Sequence, residues 1–293
     1  MSRAMNAILD KTQNDAPDRQ PAEGVAGRLL RGVGTHNLSL LIALACLVAI
    51  FGGMRSDVFF SARNIENIGQ GMAILGILAT AQTIVIVSGG LDISVGAVVG
   101  LSTVGIALGV QQTGSAALGI LFGLVIGAIA GFVNGLIVTV GGVNAVIATL
   151  GTMAAFRGVA FIMSDGQSIS IFDPLFRQIG SGRFLGLQIT IEILAAVVAI
   201  FFVLMRYTVV GRNIYAIGGN PVASRLAGLN NKGYQIGVYI LSGAAAGLGG
   251  LLLAARTGSG QPISGSDGPS AIAGSFTCAI VRAHCGPIRN FYG

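Results

Sequence analysis

The sequence contains very little charge, and this excludes most soluble folds. Only 10% of its 293 residues are Asp, Glu, Lys or Arg, whereas a typical soluble domain has about 25%. Hydrophobic residues make up 53%, and the mean hydropathy is +0.80. A water-soluble fold this poor in charge could not cover its own surface. The composition therefore predicts an integral membrane protein.

Residues that carry chemistry are also scarce. The three cysteines form no CxxC pair, and the two histidines lie at opposite ends of the chain, so neither an HExxH site nor a nucleophile–His–acid set can be assembled. The phosphate loop GxxxxGK[ST] is absent, and basic residues form no run that would suit nucleic acid. We therefore predict no enzyme activity, no metal, no cofactor and no nucleic-acid partner. If ATP drives this protein, the ATPase is another chain.

Apolar segments long enough to cross a bilayer, which takes about 20 residues of helix, recur along the chain. They predict an all-α, polytopic transmembrane helix bundle of seven or eight spans. The second and third spans meet at the short stretch Gly89 to Asp92, which is too tight for an ordinary loop and leaves open that one of the two spans is short, broken or re-entrant. An eighth segment, 269–281, is short. The seven predicted spans are 38–53, 71–90, 93–110, 116–140, 144–163, 187–205 and 235–255.

Lys and Arg predict the orientation, because cytoplasmic flanks carry the excess of positive charge. Residues 1–37 hold five of them and loop 206–234 holds four, whereas loops 54–70 and 164–186 hold two each. We therefore expect residues 1–37 to be a disordered cytoplasmic tail and 206–234 to be the main cytoplasmic loop. The transmembrane domain is predicted to run over 38–281.

Glycine is abundant, with 46 residues, and five glycines follow one another at every fourth position of the fourth span. Such small residues let helix backbones approach closely in lipid. The ladder indicates either packing inside one bundle or a dimer face. Its members are Gly119, Gly123, Gly127, Gly131 and Gly135.

Three ionisable residues lie within or beside the spans, where a charge is costly. Asp92 is expected to cap a helix that begins at Ile93, with ion coupling as the alternative. Arg157 either pairs with backbone carbonyls or serves the translocation path. Glu192 lies near a span end and is expected to reach towards water.

A short helix is predicted inside loop 206–234. Asn220 suits its N-cap, Pro221 its first position and Gly228 the left-handed residue that ends it. Such a short helix cannot be stable alone and needs a docking surface, which is a partner protein or the membrane. Its apolar face would consist of Val222, Leu226 and Leu229.

The same loop resembles a known family. GRNIYAIGGN (211–220) and ASRLAG (223–228) closely resemble the ribose-type sugar ABC transporter permeases. GGLDISVG at 89–96, TLGTMAAFRG at 149–158, Asn134-Gly135 and SGQP at 259–262 match other stretches of that family in the same order. The resemblance implies a multi-pass permease of the bacterial inner membrane that imports a monosaccharide or related small polyol. It also implies a cytoplasmic ABC ATPase, a periplasmic sugar-binding protein and a second permease subunit as partners.

The resemblance also implies site residues. Outward loops containing 166–168 and 260–262 would lie near the binding protein. The translocation path is predicted separately, from polar groups along the second to fifth spans that could bond a sugar, and it includes Asp92, Asn134, Thr149, Thr152 and Arg157. The surface that receives the ATPase motion is predicted to include Gly211, Arg212, Tyr215, Gly218, Asn220, Val222, Ala223, Arg225, Leu226 and Gly228.

The end of the sequence departs from the family pattern. Residues 275–293 read SFTCAIVRAHCGPIRNFYG, and we treat 282–293 as an atypical C-terminal tail. A frameshift or a premature stop is the simplest account of this segment. Two alternatives to the importer therefore stay open, namely an ion-coupled secondary transporter and a truncated, inactive permease remnant.

Overall fold

The computed structural model describes residues 35–184 and 186–262, and long helices dominate it. The predicted span 269–281, the C-terminal tail 282–293 and most of the N-terminal tail lie outside these residues. Residues 35–37, predicted to belong to the tail, are helical. The helices are α1 Thr35–Met54, α2 Ser56–Phe59, α3 Ala62–Val87, α4 Val95–Thr113, α5 Ala116–Thr139, α6 Ala145–Met163, α7 Pro174–Ser181, α8 Ile189–Tyr207, α9 Val209–Gly219, α10 Pro221–Leu226 and α11 Asn231–Thr257. The strands are β1 Ile169–Ser170, β2 Arg183–Phe184, β3 Leu187–Gln188 and β4 Ser259–Gly260.

The chain divides after Ile65 into two compact units. In the first unit, α1 contains the first predicted span, and its apolar stretch Leu41–Met54 is shorter than a full membrane span. The turn after α2 is closed by the Asn64 side chain, which donates a hydrogen bond to the Phe59 carbonyl over 2.8 Å. This unit therefore consists of an apolar helix and a short turn that leads into α3.

The second unit contains most of the membrane-spanning material. Six helices of the described residues, α3, α4, α5, α6, α8 and α11, are long and apolar enough to cross a bilayer. They match the second to seventh predicted spans. The α3 helix is unbroken over 26 residues and the α4 helix over 19. Neither of these two spans is therefore broken or re-entrant.

Large apolar side chains cover the outside of this unit, as lipid contact requires. In water such an extent of exposed apolar surface would promote association, whereas in a bilayer the chains of the lipid cover it. Examples with at least half of the side chain exposed are Leu121, Phe122, Ile129, Ile147, Ile162, Ile200 and Phe202.

The glycine ladder packs α5 against two neighbours inside the same chain. A Cβ on Gly119 or Gly123 would meet the backbone of α4 at Ile106 or Ser102. Further along, a Cβ on Gly131 would overlap the carbonyl oxygen of Tyr239 in α11. Packing within one bundle is therefore confirmed, and the ladder is not free to form a dimer face.

The order of these contacts gives the helix directions. Gly127 approaches Gly243, whereas Gly135, two turns later, approaches Ile236. Residue numbers rise along α5 while they fall along α11, so the two helices are antiparallel. The same reasoning makes α4 and α5 antiparallel.

The two long loops lie at opposite ends of this unit. Near the start of α3, Gln70 donates a hydrogen bond to the carbonyl of Gly180 in α7 over 2.6 Å. At the end of α3, Val87 contacts Gly218 in α9, about 25 Å along the helix. We call the end with α7 the strand end, because β1 pairs there with β4 in antiparallel register, and the end with α9 and α10 the helix end. The predicted outward segments 166–168 and 260–262 are thus neighbours at one end.

We expect Gly131→Ala to weaken the bundle, because the new Cβ would overlap the Tyr239 carbonyl. Overpacking of this kind costs about 1–3 kcal/mol. The measurement is the thermal unfolding of the purified chain in lipid nanodiscs. The control is Gly151→Ala in α6, where a Cβ meets nothing within 4 Å. Equal melting temperatures for the two variants would contradict the packing role of the ladder.

Candidate functional site

The segment between α8 and α11 forms two helices. Thr208 caps α9, because its hydroxyl accepts a hydrogen bond from the Gly211 amide over 3.2 Å and donates one to the Leu204 carbonyl over 2.6 Å. A Cβ on Gly211 would overlap the carbonyls of Leu204 and Met205, so only glycine allows the tight turn from α8. The α9 helix was not predicted. Its signal is the buried row Gly211, Ile214 and Ile217 behind a Thr cap.

The short helix α10 has the predicted boundaries. Asn220 Oδ1 accepts hydrogen bonds from the amides of Val222 and Ala223 at 3.1 and 2.9 Å. Gly228 has a φ of +83° and ends the helix. The amides of Gly228 and Leu229 donate to the carbonyls of Arg225 and Ser224, which is the Schellman pattern. The predicted N-cap and left-handed C-terminal glycine are therefore confirmed.

One face of α10 is fixed to the bundle and the other is free. Asn231, at the start of α11, donates a hydrogen bond to the Pro221 carbonyl over 2.8 Å and accepts one from Ser224 over 3.2 Å. On the outer face, Val222 is 67% exposed and Leu226 is 85% exposed. The helix thus presents two apolar side chains on a support that is capped at both ends.

The ten predicted coupling residues fall into two groups. Gly211 is buried and Gly218 is half-buried, and both make close backbone contacts inside the chain. A partner cannot reach Gly211 directly. The other eight are exposed, namely Arg212, Tyr215, Asn220, Val222, Ala223, Arg225, Leu226 and Gly228. Within the described part of the chain, neither arginine of this group makes an ion pair.

A buried polar junction follows α3 at the same end. Asp92 is only 3% exposed. Its Oδ1 accepts hydrogen bonds from the amide and hydroxyl of Ser94 at 3.0 and 2.7 Å. Its Oδ2 accepts one from Ser242 over 3.3 Å. Asn134 donates to the Ser94 hydroxyl over 2.7 Å and lies 3.5 Å from Asp92 Oδ1. The structure therefore brings together Asp92 and Asn134, two of the five predicted path residues.

The position of Asp92 differs in detail from the prediction. The α4 helix begins at Val95, two residues later than expected. Its N-cap residue is Ser94, and Asp92 accepts hydrogen bonds from Ser94 instead of capping the helix itself. Because Asp92 is buried, its carboxylate must be stabilised without bulk water. Burial raises the pKa of the Asp92 carboxyl, while hydrogen bonds from Ser94 and Ser242 act in the opposite direction.

The other three predicted path residues lie on α6. Thr149 is buried and donates a hydrogen bond to the Ala145 carbonyl over 2.7 Å. Thr152 is half-buried and lies 3.3 Å from the Thr149 carbonyl, and Arg157 is half-buried. No hydrogen bond of the described residues joins these three to Asp92, so the structure does not form a single five-residue cluster.

Glu192, which was expected to reach towards water, is half-buried. It lies in the first turn of α8, and its Oε1 is buried without a hydrogen-bond partner among the described residues. The positive end of the helix favours a carboxylate in this turn. One carboxylate oxygen thus lies inside the protein, while the residue keeps part of its surface exposed.

A polar cavity of about 440 Å³ opens at the strand end. Its lining includes Gln70, Asp173, Arg177 and Arg256, and in the described ranges 35–184 and 186–262 neither arginine makes an ion pair. Hydrogen-bond donors and acceptors of this kind suit a hydroxyl-rich solute. No group of His, Cys, Asp or Glu in the described ranges could hold a metal ion.

Comparisons with known proteins give one family. The family described as branched-chain amino acid transport system / permease component matches residues 64–283. The chain is 38% identical over 228 residues to the ribose import permease protein of Haemophilus influenzae, which covers 76% of this chain and 70% of that protein. It is 35% identical over 204 residues to the L-arabinose ABC transporter permease protein of Azospirillum brasilense, covering 70% and 60%. The D-allose transport system permease protein of Escherichia coli is 33% identical over 254 residues, covering 85% and 75%. No solved structure matches the chain.

The cap of α10 can be tested by substitution. Asn220→Ala removes both cap hydrogen bonds, which costs about 1 kcal/mol and should speed amide exchange over 221–226 about fivefold. The measurement is hydrogen–deuterium exchange followed by mass spectrometry. Asn220→Asp keeps the acceptor and serves as the control. Unchanged exchange in Asn220→Ala would show that the cap does not hold this helix.

Proposed function

Because the chain belongs to the family of branched-chain amino acid transport system permease components, we propose that it is the permease subunit of an ATP-driven monosaccharide importer. The chain is a multi-pass membrane permease and not an enzyme. Although the family description mentions amino acids, relatives at 33–38% identity are permeases for ribose, L-arabinose and D-allose. This likeness to permeases of three small sugars is the observation that carries the substrate class.

The α10 helix is proposed as the docking element for a cytoplasmic ABC ATPase. Two exposed apolar side chains, Val222 and Leu226, stand on a helix of six residues that is fixed at both ends. Burying one such side chain in a partner contributes about 1.5–3 kcal/mol. The sequence contains no phosphate loop, and in this proposal the nucleotide-binding chain is a separate subunit. A rigid, apolar, cationic projection is what such a subunit could grip.

Orientation follows from the same proposal. If α10 meets the ATPase, the helix end faces the cytoplasm and the strand end faces the periplasm. The distribution of Lys and Arg supports this direction, because loop 206–234 is richer in them than loop 164–186. The N-terminus is then cytoplasmic, and the membrane is the bacterial inner membrane.

The strand end is proposed to receive the sugar. A periplasmic sugar-binding protein would deliver it beside the β1–β4 pair, where segments 166–168 and 260–262 meet. The polar cavity of about 440 Å³ opens at this end. Sugars are recognised through hydrogen bonds to their hydroxyl groups, which the amide, carboxylate and guanidinium groups of its lining can supply.

The translocation path and the second subunit belong to the same proposal. Asn134, Thr149, Thr152 and Arg157 are proposed to border the path, since they offer polar groups within α5 and α6. A second copy of the permease would complete the transporter. The glycine ladder is used inside the chain, so the second copy would pair through other, lipid-facing surfaces.

Transport itself is the first test. We expect proteoliposomes that contain this chain, with the ABC ATPase and binding protein of the neighbouring reading frames, to accumulate labelled ribose, L-arabinose or D-allose only when ATP is present. Collapsing the ion gradient with an ionophore should not change the rate. Uptake that depends on the gradient and not on ATP would identify an ion-coupled transporter instead. No uptake under either condition would indicate an inactive permease remnant.

The docking role of α10 is the second test. Leu226→Asp places a charge where an apolar contact is proposed, and we expect the ATPase affinity to fall about 10-fold to 100-fold. The measurement is co-purification of the ATPase with the permease in detergent. Phe172→Asp, at a side chain that is 95% exposed at the strand end, is the matched control. If Leu226→Asp retains the ATPase as well as Phe172→Asp does, α10 is not the docking element.

A further inference from the structure

The last turn of α9 lies directly against the end of α3. A Cβ on Gly218 would overlap the carbonyl oxygen of Val87 and lie 3.3 Å from the carbonyl carbon of Ser88. The neighbouring Gly219 is different, because a Cβ there meets nothing within 4 Å. Of these two glycines, only Gly218 brings the α9 backbone against the end of α3 and the first residue of the α3–α4 linker.

The linker that receives this contact is held in one conformation at its first turn. The amides of Gly89 and Gly90 donate to the carbonyls of Ile86 and Val85, both at 2.9 Å. Gly89 has a φ of +83°, which favours glycine. The pair of hydrogen bonds is again the Schellman pattern. The first residues of the linker are therefore fixed to the last turn of α3.

The far part of the linker is tied to the spans. Tyr239 of α11 donates a hydrogen bond to the Leu91 carbonyl over 3.1 Å, and Gln82 of α3 donates one to the Asp92 carbonyl. The Asp92 carboxylate joins Ser94, at the start of α4, to Ser242 of α11. Oδ1 thus bonds the N-cap residue of α4 and lies 3.5 Å from Asn134 of α5, Oδ2 bonds α11, and the residue is 3% exposed.

The α9 and α10 helices are also tied to α11, but nearer its start. Asn213 of α9 donates a hydrogen bond to the Tyr234 hydroxyl over 2.6 Å, and Asn231 bonds α10 as described above. The start of α11 therefore moves with α10, while the linker is bonded to α11 two to three turns further along. Two separate routes lead from α10 into the bundle.

We propose that the linker 88–94 is a second receiver of the ATP-driven motion, which Gly218 transmits to it and which Asp92 passes on to α4 and α11. This inference rests on the proposed function. Asp92 and Ser242 act as positioning residues in this scheme and not as sugar ligands. Because α4 is the most enclosed of the spans, displacement of its first turn would change the packing around the centre of the bundle.

A pair of glycine substitutions tests the first step. Gly218→Ala should push α9 away from Val87, whereas Gly219→Ala adds the same methyl group to open space. The measurements, made on the complete transporter in proteoliposomes, are sugar transported per ATP hydrolysed and the KM for sugar. We expect Gly218→Ala to lower transport per ATP at least about fivefold with an unchanged KM. Gly219→Ala should match the wild type.

A pair of serine substitutions tests the second step without adding volume. Ser242→Ala removes the bond from Asp92 to α11, while Ser102→Ala removes a buried hydroxyl that has no hydrogen-bond partner among the described residues. We expect only Ser242→Ala to lower transport per ATP, again with an unchanged KM. If Gly218→Ala does not assemble with the ATPase, the comparison of Ser242→Ala with Ser102→Ala alone tests the inference.

Three results would overturn the inference. The first is equal transport per ATP in Ser242→Ala and Ser102→Ala, and the second is equal transport per ATP in the two glycine variants. The third is a change in the KM for sugar in Ser242→Ala while the sugar transported per ATP hydrolysed stays unchanged, which would place Asp92 on the translocation path. A wild-type transporter without ATP-dependent uptake would instead reject the proposed function itself, and so the two failures can be told apart.

Discussion

The close backbone contact between α5 and α11 is the constraint on which the rest of this structure depends. In lipid, no water-driven hydrophobic force pulls helices together, so contact area and weak polar contacts have to hold the bundle. Glycines at 127, 131 and 135 let α5 approach the backbone of α11 at Gly243, Tyr239 and Ile236. The positions of the polar groups on α11 are fixed as a consequence. Tyr239 and Ser242 can then reach the linker 88–94, and Asn231 can hold α10.

Polar groups within this bundle are arranged to connect helices. An uncompensated charge in such surroundings is costly, yet Asp92 is buried without an ion-pair partner in the described part of the chain. Its carboxylate is compensated by the amide and hydroxyl of Ser94, the N-cap residue of α4, by the hydroxyl of Ser242 in α11 and by the positive end of α4. Separating those helices would leave the charge with fewer donors. The junction thus resists separation of α4 and α11 and lets them move together.

Local chemistry was predictable from the sequence where it is contained in a few adjacent residues. Asn220, Pro221 and Gly228 specify the ends of α10 by themselves, and the structure has those ends. The six spans of the second unit follow from hydropathy. Helix ends that lie in polar sequence were harder to predict from hydropathy. The α3 helix begins at Ala62 and not at 71, and it includes the polar Gln70, whose partner lies in α7, far away in sequence.

The features that sequence could not supply are those that need two distant segments at once. Gly218 and Gly219 are adjacent and chemically identical, but one touches Val87 and the other faces open space. Glu192 was expected to reach water, and only the position of α8 beside its neighbours buries its Oε1, although the residue stays partly exposed. The same holds for Asp92, whose adjacent residues predict a cap but whose bond to Ser242 spans 150 positions. A single charged residue beside a span therefore indicates that a partner exists, while the fold decides whether that partner is water, a solute or another helix.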